Sequence, residues 1–235
     1  MSTDATILRV MPREMRLMSE RILSLTELPK GFALMALDLV MYSQAMGLGG
    51  FALLESRIEV LKPADPRRMR LVSDTGPRWT LDANGEHAWF AIPSAIDLLD
   101  EAIGDGETAE IEIVSAADPE ELAVATAFAC RSGLVVTCGG RVLSARRAET
   151  RTDPVMEKVL RDGCRIAADQ WWRIYELAQT ALAPDTVVSR RHAGPVIVTE
   201  DGTVIGRSDN DDDTDVSFIG SSPTEAATAQ HEKAC

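Results

Sequence analysis

The stretch from Phe32 to Met46 is apolar on nearly every side when drawn as a helix, and Asp38 is its only charge. A helix that is hydrophobic all round is normally buried on several sides. The rest of the fold must therefore supply enough apolar surface to enclose it. With 235 residues, 45% of them hydrophobic, the chain is long enough to build a core of that size.

Two further helices are predicted beside this one. Between Glu14 and Leu25 apolar residues recur every three to four positions, which indicates a helix with one buried stripe. A proline and a glycine within Leu28–Gly31 end that pattern. The glycines of Gly47–Gly50 end the apolar helix, and Phe51–Leu61 is predicted to form the third helix.

The middle third of the chain changes to the period of β-strands, and Asn84-Gly85 indicates a tight hairpin. A helix is predicted to start at Pro93-Ser94 and another at Asp118, where a capping residue precedes a proline and two acids. The second helix should run to Ser132. The strands predicted in this third are Met69–Val72, Arg78–Leu81, His87–Ile92, Ala109–Val114, Leu134–Thr137 and Val142–Ala145.

The last third returns to a helical pattern. Thr152-Asp153-Pro154 opens either one long helix or a pair of helices broken near Gly163, and a hairpin is predicted from Val196 to Ile205. The order of elements predicts an α+β fold with N-terminal helices, a central mixed sheet with two helices, and C-terminal helices followed by a polar closing segment. The predicted regions are 1–62 (helical), 63–150 (α+β), 151–215 (C-terminal helices and closing segment) and 216–235 (a disordered tail).

The net charge of −13 argues against nucleic acid or an anionic membrane as a partner, because both would be repelled. No uncharged apolar run reaches the length of a membrane span, and no secretory signal opens the chain. The four cysteines form no zinc pattern and suit a reducing compartment. We therefore expect a cytoplasmic protein without a metal site, and no known cofactor signature occurs in the chain.

The most polar segment lies near the C-terminus, after Pro184. An arginine beside a serine and an imidazole could hold a carboxylate in a fork of hydrogen bonds, and carboxylates further on could act as general base. The proposed ligand-binding residues are Ser189, Arg190 and Asn210, and the proposed catalytic residues are His192, Asp209 and Asp211. In the alternative interpretation, the arginines only form ion pairs with the acidic loop and His192 is a surface residue.

Two more polar features are interpreted without a functional site. The aspartates from Asp209 to Asp215 alternate like calcium ligands, but the glycine and the distal glutamate of a calcium loop are missing, so a solvated acidic loop is favoured. Cys130 has Arg131 as a cationic neighbour that could stabilise a thiolate, whereas a buried structural cysteine is the favoured interpretation.

The closing segment resembles that of a family of uncharacterised, mainly proteobacterial proteins, which ends on Pro-x-Ser-x-x-Ser-Arg, Gly-Ala-Gly and Asp-Asn-Asp. Pro184, Ser189, Arg190, Gly194 and Asp209-Asn210-Asp211 fit that pattern in order. An early Pro-Trp-Gly-x-Ala-Glu-Glu-Ala element of the family is matched in outline from Leu28, with Lys30 in place of the tryptophan and Leu34-Met35 in place of the acidic pair. The resemblance implies a site and no particular reaction.

These observations support two main hypotheses for function, and a regulatory metal or ligand sensor is a weaker third. In the first, the protein acts in small-molecule metabolism and binds a small anionic metabolite, such as a carboxylate, at the closing segment. In the second, it is a non-catalytic subunit or interaction module, and a protein partner or a second copy of the chain covers the apolar helix Phe32–Met46.

Overall fold

The computed structural model describes residues 6–75, 78–104 and 107–182, together with the backbone of Val196–Val198 and Val204–Gly206. The chain divides into two compact units, residues 1–182 and 183–235. The predicted α+β class is confirmed, since helices and a mixed sheet both occur in the first unit. The finer regional boundaries at 62/63 and 150/151 stay predictions.

The described part of the first unit contains seven α-helices and short 3-10 helices at Pro66–Arg68, Pro119–Val124 and Ala129–Ser132. The α-helices are α1 Pro12–Leu23, α2 Lys30–Ala45, α3 Gly50–Leu61, α4 Ala88–Ile103, α5 Ala125–Phe128, α6 Pro154–Asp162 and α7 Ala168–Gln179.

The strands of this unit form a two-stranded ribbon of β1 and β7 and a five-stranded sheet in the order β2-β3-β4-β6-β5. In the sheet β3 and β4 are parallel and joined by α4, and the other neighbours are antiparallel. The strands are β1 Ile7–Val10, β2 Arg70–Ser73, β3 Arg78–Asp82, β4 Ala109–Val114, β5 Leu134–Gly139, β6 Val142–Arg147 and β7 Cys164–Ala167.

Helix α2 lies at the centre of the unit, as its apolar sequence predicts. Every residue from Ala36 to Ser43 is buried, and α1, α3, α4 and α6 all pack against the helix. Its neighbour α3 begins at Gly50, where an added Cβ would lie 2.2 Å from the carbonyl oxygen of Val40. The chain itself therefore covers the central part of the helix for which the second hypothesis invoked a partner.

The five-stranded sheet is covered on one face. Ile111 and Ile113 of β4 are buried in the core, whereas Glu110 points to the opposite face. There Glu110 accepts hydrogen bonds from Arg78 on β3 (2.8 Å) and from Ser144 on β6 (2.9 Å). One face thus packs on helices, and the other carries a polar ladder that links three strands.

The prediction of a strand at His87–Ile92 is wrong, because this segment forms the first turns of α4. Asn84 and Gly85 both have positive φ values, so the predicted tight turn exists, but it leads into a helix. Nδ1 of His87 caps that helix by accepting the backbone N–H of Trp89 at 3.1 Å. The helix therefore begins five residues before Pro93, which lies inside it. A short apolar run that is buried on all sides has no period by which strand and helix can be distinguished.

The segment after Asp118 is helical up to Ser132, as predicted, although most of it is 3-10 helix. Its start differs from the prediction, since the Asp118 carboxylate caps no backbone N–H. The Asp118 carboxylate instead accepts hydrogen bonds from Nη2 (2.6 Å) and Nε (3.1 Å) of Arg57 on α3.

The helix predicted from Asp153 is a pair, α6 and α7, and the break at Gly163 is confirmed. The sequence pattern did not indicate strand β7 between the two helices, nor its partner β1. Both strands have four residues, which is too short to display a period against the adjoining helices.

In the second unit, Val196–Val198 and Val204–Gly206 form an antiparallel pair, β8 and β9, with Ile197 opposite Ile205. The two strands of the predicted hairpin are thereby confirmed. The predicted disordered tail from residue 216 lies outside the described residues. Within the described residues, none of the helices combines the length and apolar character that a membrane crossing requires.

Candidate functional site

The polar site predicted near the C-terminus cannot be located, because all of its members lie outside the described residues. Its pocket and its role therefore stay predictions. These members are Ser189, Arg190, His192, Asp209, Asn210 and Asp211.

A different polar site lies in the first unit around Asp38, the only charge of α2 between Phe32 and Ala45. Its carboxylate is 6% exposed and accepts a hydrogen bond from Nη1 of Arg16 on α1 at 2.5 Å. Its second oxygen accepts a hydrogen bond from Nη1 of Arg131, in the 3-10 helix Ala129–Ser132. A buried charge is tolerated only when it is paired and hydrogen-bonded, and the two arginines meet that requirement. We call Arg16, Asp38 and Arg131 the Asp38 triad.

The position of Arg131 is fixed by a second contact. Its guanidinium carbon lies 5.2 Å from the centre of the Phe128 ring, a cation–π geometry. Phe128 in turn meets the ring of Tyr42 edge to face, at 5.6 Å between ring centres. Burial opposes the charge of Arg131, yet the hydrogen bond and attraction of Asp38 outweigh it and raise the pKa of Arg131. The guanidinium is therefore held charged and in one orientation.

Tyr42 connects α2 to the start of α6. Its hydroxyl donates a hydrogen bond to Oδ2 of Asp153, whose Oδ1 accepts the N–H of Met156 at 2.9 Å and so caps α6. Burial raises the pKa of Tyr42 far above its ordinary value, and the hydrogen bond to the charged Asp153 acts in the same direction. The phenol therefore stays protonated at physiological pH, with its proton directed at Asp153.

The Cys130 thiol lies beside Tyr42 and Asp153, and it is a poor nucleophile at neutral pH. Burial raises the pKa of the Cys130 thiol to about 11, and the negative charge of Asp153 adds to the effect. The thiolate needed for nucleophilic chemistry is therefore scarce at neutral pH. Cys130 is half-buried and not fully buried as the favoured interpretation had it, while its raised pKa agrees with a structural thiol.

A cavity of about 230 Å³ lies among these residues. Its charges are the two arginines of the Asp38 triad, Asp38 and Asp153, and the Tyr42 side chain also contributes to its wall. Among the described residues, Nε and Nη2 of both arginines have no hydrogen-bond partner. The remaining wall is apolar and is formed by Pro12, Met41, Met156 and Leu160.

The cavity can therefore accept an anion. The four charges that line the cavity sum to zero, because Asp153 offsets the +1 of the triad. Both oxygens of Asp153 already accept hydrogen bonds, whereas Arg16 and Arg131 keep guanidinium donors that can form charge-assisted hydrogen bonds. Within 6–75, 78–104 and 107–182, no three metal-binding side chains lie close enough together to hold an ion. The arginine donors and the apolar wall together suit an anion that has an apolar part.

A second buried polar cluster stabilises the junction of α4 with the sheet. The Nε2 atom of His87 lies 3.3 Å from Oδ2 of Asp118, the carboxylate that Arg57 also binds. Because Nδ1 of His87 accepts the N–H of Trp89, the imidazole proton must be on Nε2, facing that carboxylate. Burial lowers the pKa of His87 to about 4, so the ring is neutral at physiological pH. We assign this cluster a structural role.

The sequence contained one signal for the Asp38 site. A lone aspartate in an otherwise apolar helix must be neutralised by something, and that requirement points to cations from other elements. The sequence does not say which cations these are. Arg131 stands out in it only as a neighbour of Cys130, and Arg16 lies in a helix that is predicted from its apolar stripe.

No protein-family model matches the chain, and no curated protein matches it. Among solved structures, it is similar to sulfolactate dehydrogenase from Methanocaldococcus jannaschii, with 12% identity and a TM-score of 0.42 over 54% of this chain and 38% of that one. It is also similar to malate dehydrogenase from Entamoeba histolytica, with 10% identity and a TM-score of 0.43 over 74% of this chain and 62% of that one. The chain spans less than two thirds of the length of either dehydrogenase.

Proposed function

We propose that the protein binds a small carboxylate metabolite in the cavity beside the Asp38 triad. The observation that carries the proposal is the sharing of one buried carboxylate, Asp38, by two arginines that line the cavity and have further donors without a partner among the described residues. A guanidinium pairs with a carboxylate through two parallel hydrogen bonds, so an incoming carboxylate would find donors already oriented.

The size and lining of the cavity narrow the ligand class. Pockets for drug-sized ligands occupy about 300–1,000 Å³, so a cavity of about 230 Å³ suits a ligand of a few heavy atoms. Met41, Met156 and Leu160 would contact its apolar part, while Arg16 and Arg131 bind its carboxylate. Short-chain carboxylic acids combine these two properties.

The geometry supports binding more directly than it supports a reaction. Tyr42 and Cys130 are both protonated at neutral pH, and both oxygens of Asp153 already accept hydrogen bonds. The proposal therefore assigns the ligand to the triad without naming a chemical step. A cytoplasmic role in small-molecule metabolism and membership of the uncharacterised bacterial family belong to the same proposal.

Thermal unfolding in the presence of short carboxylates tests the proposal. Acetate, propionate, lactate and succinate should be compared with chloride at equal ionic strength. A ligand at a hundred times its Kd stabilises the folded state by about 2.7 kcal/mol. Arg131→Gln and Arg16→Gln should each weaken binding about tenfold, because each removes a charged hydrogen-bond donor.

The matched control is Arg173→Gln. Arg173 also pairs with carboxylates, Glu55 and Asp169, but it lies on α7 and does not line the cavity. Arg190→Gln changes the pocket that is predicted at the closing segment. It should leave carboxylate binding unchanged if the ligand binds beside the Asp38 triad. The proposal fails if no carboxylate stabilises the protein, or if both triad variants bind as tightly as the wild type.

The second candidate function is that of an interaction module, and the exposed aromatic side chains of α7 support it. Trp172 and Tyr175 are 56% and 41% exposed and contact each other edge to face, at 5.8 Å between ring centres. Exposed aromatic side chains are enriched in protein interfaces. Sedimentation velocity of the wild type and of Trp172→Ser tests this function: a species heavier than the monomer that is lost in the variant supports it, and a monomer at every concentration contradicts self-association.

A further inference from the structure

The largest of the cavities described, about 750 Å³, lies between the end of α2, helix α6 and the β1–β7 ribbon, and we call it the α6 cleft. It shares no lining residue with the cavity of the Asp38 triad. Its charged lining residues are Arg9, Lys158, Asp162 and Arg165, which give a local charge of +2 in a chain whose net charge is −13.

Two of these cations come from a cross-strand pair. In the ribbon, Arg9 of β1 lies directly opposite Arg165 of β7. Their neighbours Val10 and Cys164 are buried, so the alternation of the strands places both arginines on the exposed side. Like charges directly opposite each other destabilise a strand pair. The arrangement therefore costs stability in the free protein.

The third cation, Lys158, is brought to the same cleft by Gly163. This glycine has a φ of +67°, and an added Cβ would lie 2.7 Å from the carbonyl oxygen of Val10. Only a residue without a side chain lets the chain turn from α6 straight into β7 at this distance from β1. The turn places α6, with Lys158, along one wall of the cleft and the two arginines along another.

The three cations are not neutralised by the part of the chain that the structure describes. Arg9, Lys158 and Arg165 have no hydrogen bond or ion pair to any described side chain, whereas Asp162 pairs with Arg161 at 3.2 Å. Arg161 holds the pKa of Asp162 below its ordinary value, and Arg9 and Lys158 contribute to that effect. Asp162 thus has Arg161 as its ion-pair partner and offsets part of the charge of Arg9 and Lys158, which leaves the described lining of the cleft with its net charge of +2.

We propose that the α6 cleft binds a phosphate ester or diphosphate, a second ligand class beyond the carboxylate of the Asp38 triad. A phosphate group carries up to two negative charges and three acceptor oxygens, which suits two arginine forks and one lysine that line one cleft from separate elements. Bound phosphate also removes the repulsion between Arg9 and Arg165. The volume of the cleft lies in the range of metabolite sites, so it has room for the organic part of a phosphorylated small molecule.

Calorimetric titration of the full chain with pyrophosphate, glycerol 3-phosphate and succinate, at constant ionic strength, tests the proposal. Pyrophosphate should bind more tightly than succinate. Arg9→Gln, Arg165→Gln and Lys158→Gln should each weaken pyrophosphate binding about tenfold. Arg173→Gln is the matched control, because Arg173 is an exposed arginine that pairs with Glu55 and Asp169 and does not line the cleft. It should change the affinity less than twofold.

Two more variants distinguish binding in the α6 cleft from binding elsewhere on the protein. Arg131→Gln should leave pyrophosphate binding unchanged, because Arg131 belongs to the Asp38 triad. Without ligand, Arg165→Gln should unfold at the same or a higher temperature than the wild type, since it removes the repulsion from Arg9. The proposal is overturned if pyrophosphate does not bind, if succinate binds as tightly, or if the three cleft variants keep the affinity of the wild type.

Discussion

The indole Nε1 of Trp89 donates a hydrogen bond of 2.8 Å to Oε2 of Glu121, and both side chains are buried. This contact joins α4 to the 3-10 helix Pro119–Val124, two elements that follow the parallel strands β3 and β4. Burial raises the pKa of Glu121, and the bond from Trp89 acts in the opposite direction. The Glu121 side chain thus supplies the acceptor that the buried indole of Trp89 needs.

Removing the Glu121 carboxylate should destabilise the protein, whereas replacing it with a neutral amide should not. Glu121→Ala leaves the Trp89 N–H unpaired in the core, at a cost of about 2 kcal/mol. Glu121→Gln keeps an oxygen acceptor and removes the buried charge, so its free energy of unfolding should stay within about 1 kcal/mol of the wild type. Urea unfolding at pH 7 measures both changes. Equal stability of the two variants would show that the hydrogen bond contributes nothing.

His87 should make the protein less stable as the pH falls from 6.5 to 4. Its pKa drops from an ordinary value of 6.5 to about 4 on folding, so in this window the unfolded state binds a proton that the folded state does not. Stability is therefore fully present above pH 6.5 and decreases as the pH falls toward 4, by about 3 kcal/mol in total. Urea unfolding at a series of pH values measures the slope.

His87→Asn is the variant that isolates this effect. Asparagine can still accept the N–H of Trp89 as the cap of α4, but it does not titrate. Buried carboxyl groups such as Glu86 and Glu121, whose pKa values are raised, give the opposite dependence and are present in both proteins. Between pH 6.5 and 4 the wild type should therefore lose about 3 kcal/mol more stability than His87→Asn. Equal slopes in the two proteins would contradict the prediction.

The fold class and most elements could be predicted because their signals are local. Asp153 and Pro154 mark the start of α6 as cap and first residue, and Gly133 ends the segment before β5 with a positive φ. The short strands β1 and β7 could not be predicted, since they are defined by each other across more than 150 residues of sequence. A pairing of that kind has no local period.

The candidate sites were harder to predict for the same reason. Asp38 and Tyr42 lie on one helix, but their partners Arg131 and Asp153 come from segments far away in the chain. The sequence marks Asp38 as a charge that needs neutralising and is silent on the partner. The site predicted after Pro184 rests on polar residues that cluster at 189–192 and 209–211, and it stays a prediction because these residues lie outside the described ones.

Substitutions of Tyr42 and Asp153 should separate the contribution of their hydrogen bond to stability from the contribution of the α6 cap. Tyr42→Phe removes the hydroxyl whose hydrogen bond Asp153 accepts, but it keeps the N-cap of α6. It should lower the free energy of unfolding by about 1 kcal/mol. Asp153→Ala removes the cap as well and leaves the Tyr42 hydroxyl without its acceptor, so it should cost about 2–3 kcal/mol. Asp153→Asn, which keeps one oxygen acceptor for the cap, is the control. Equal losses in Tyr42→Phe and Asp153→Ala would contradict a capping role.

Gly50 and Gly31 give opposite predictions for the same substitution. Gly31, in the first turn of α2, has nothing within 4 Å of an added Cβ, so Gly31→Ala should stabilise the protein by about 0.5–1 kcal/mol through helix propensity. At Gly50 the added Cβ would lie 2.2 Å from the carbonyl oxygen of Val40 and 2.9 Å from the backbone nitrogen of Gln44.

Because backbone atoms of the buried α2 cannot move aside as a flexible side chain can, Gly50→Ala must push α3 away from it. The loss of packing should outweigh the gain in propensity and cost about 2 kcal/mol or more. Both variants should be measured by thermal and urea unfolding. Because alanine replaces glycine in both, the contribution of helix propensity cancels when their stabilities are compared. Stabilisation by Gly50→Ala would show that α2 and α3 do not approach this closely.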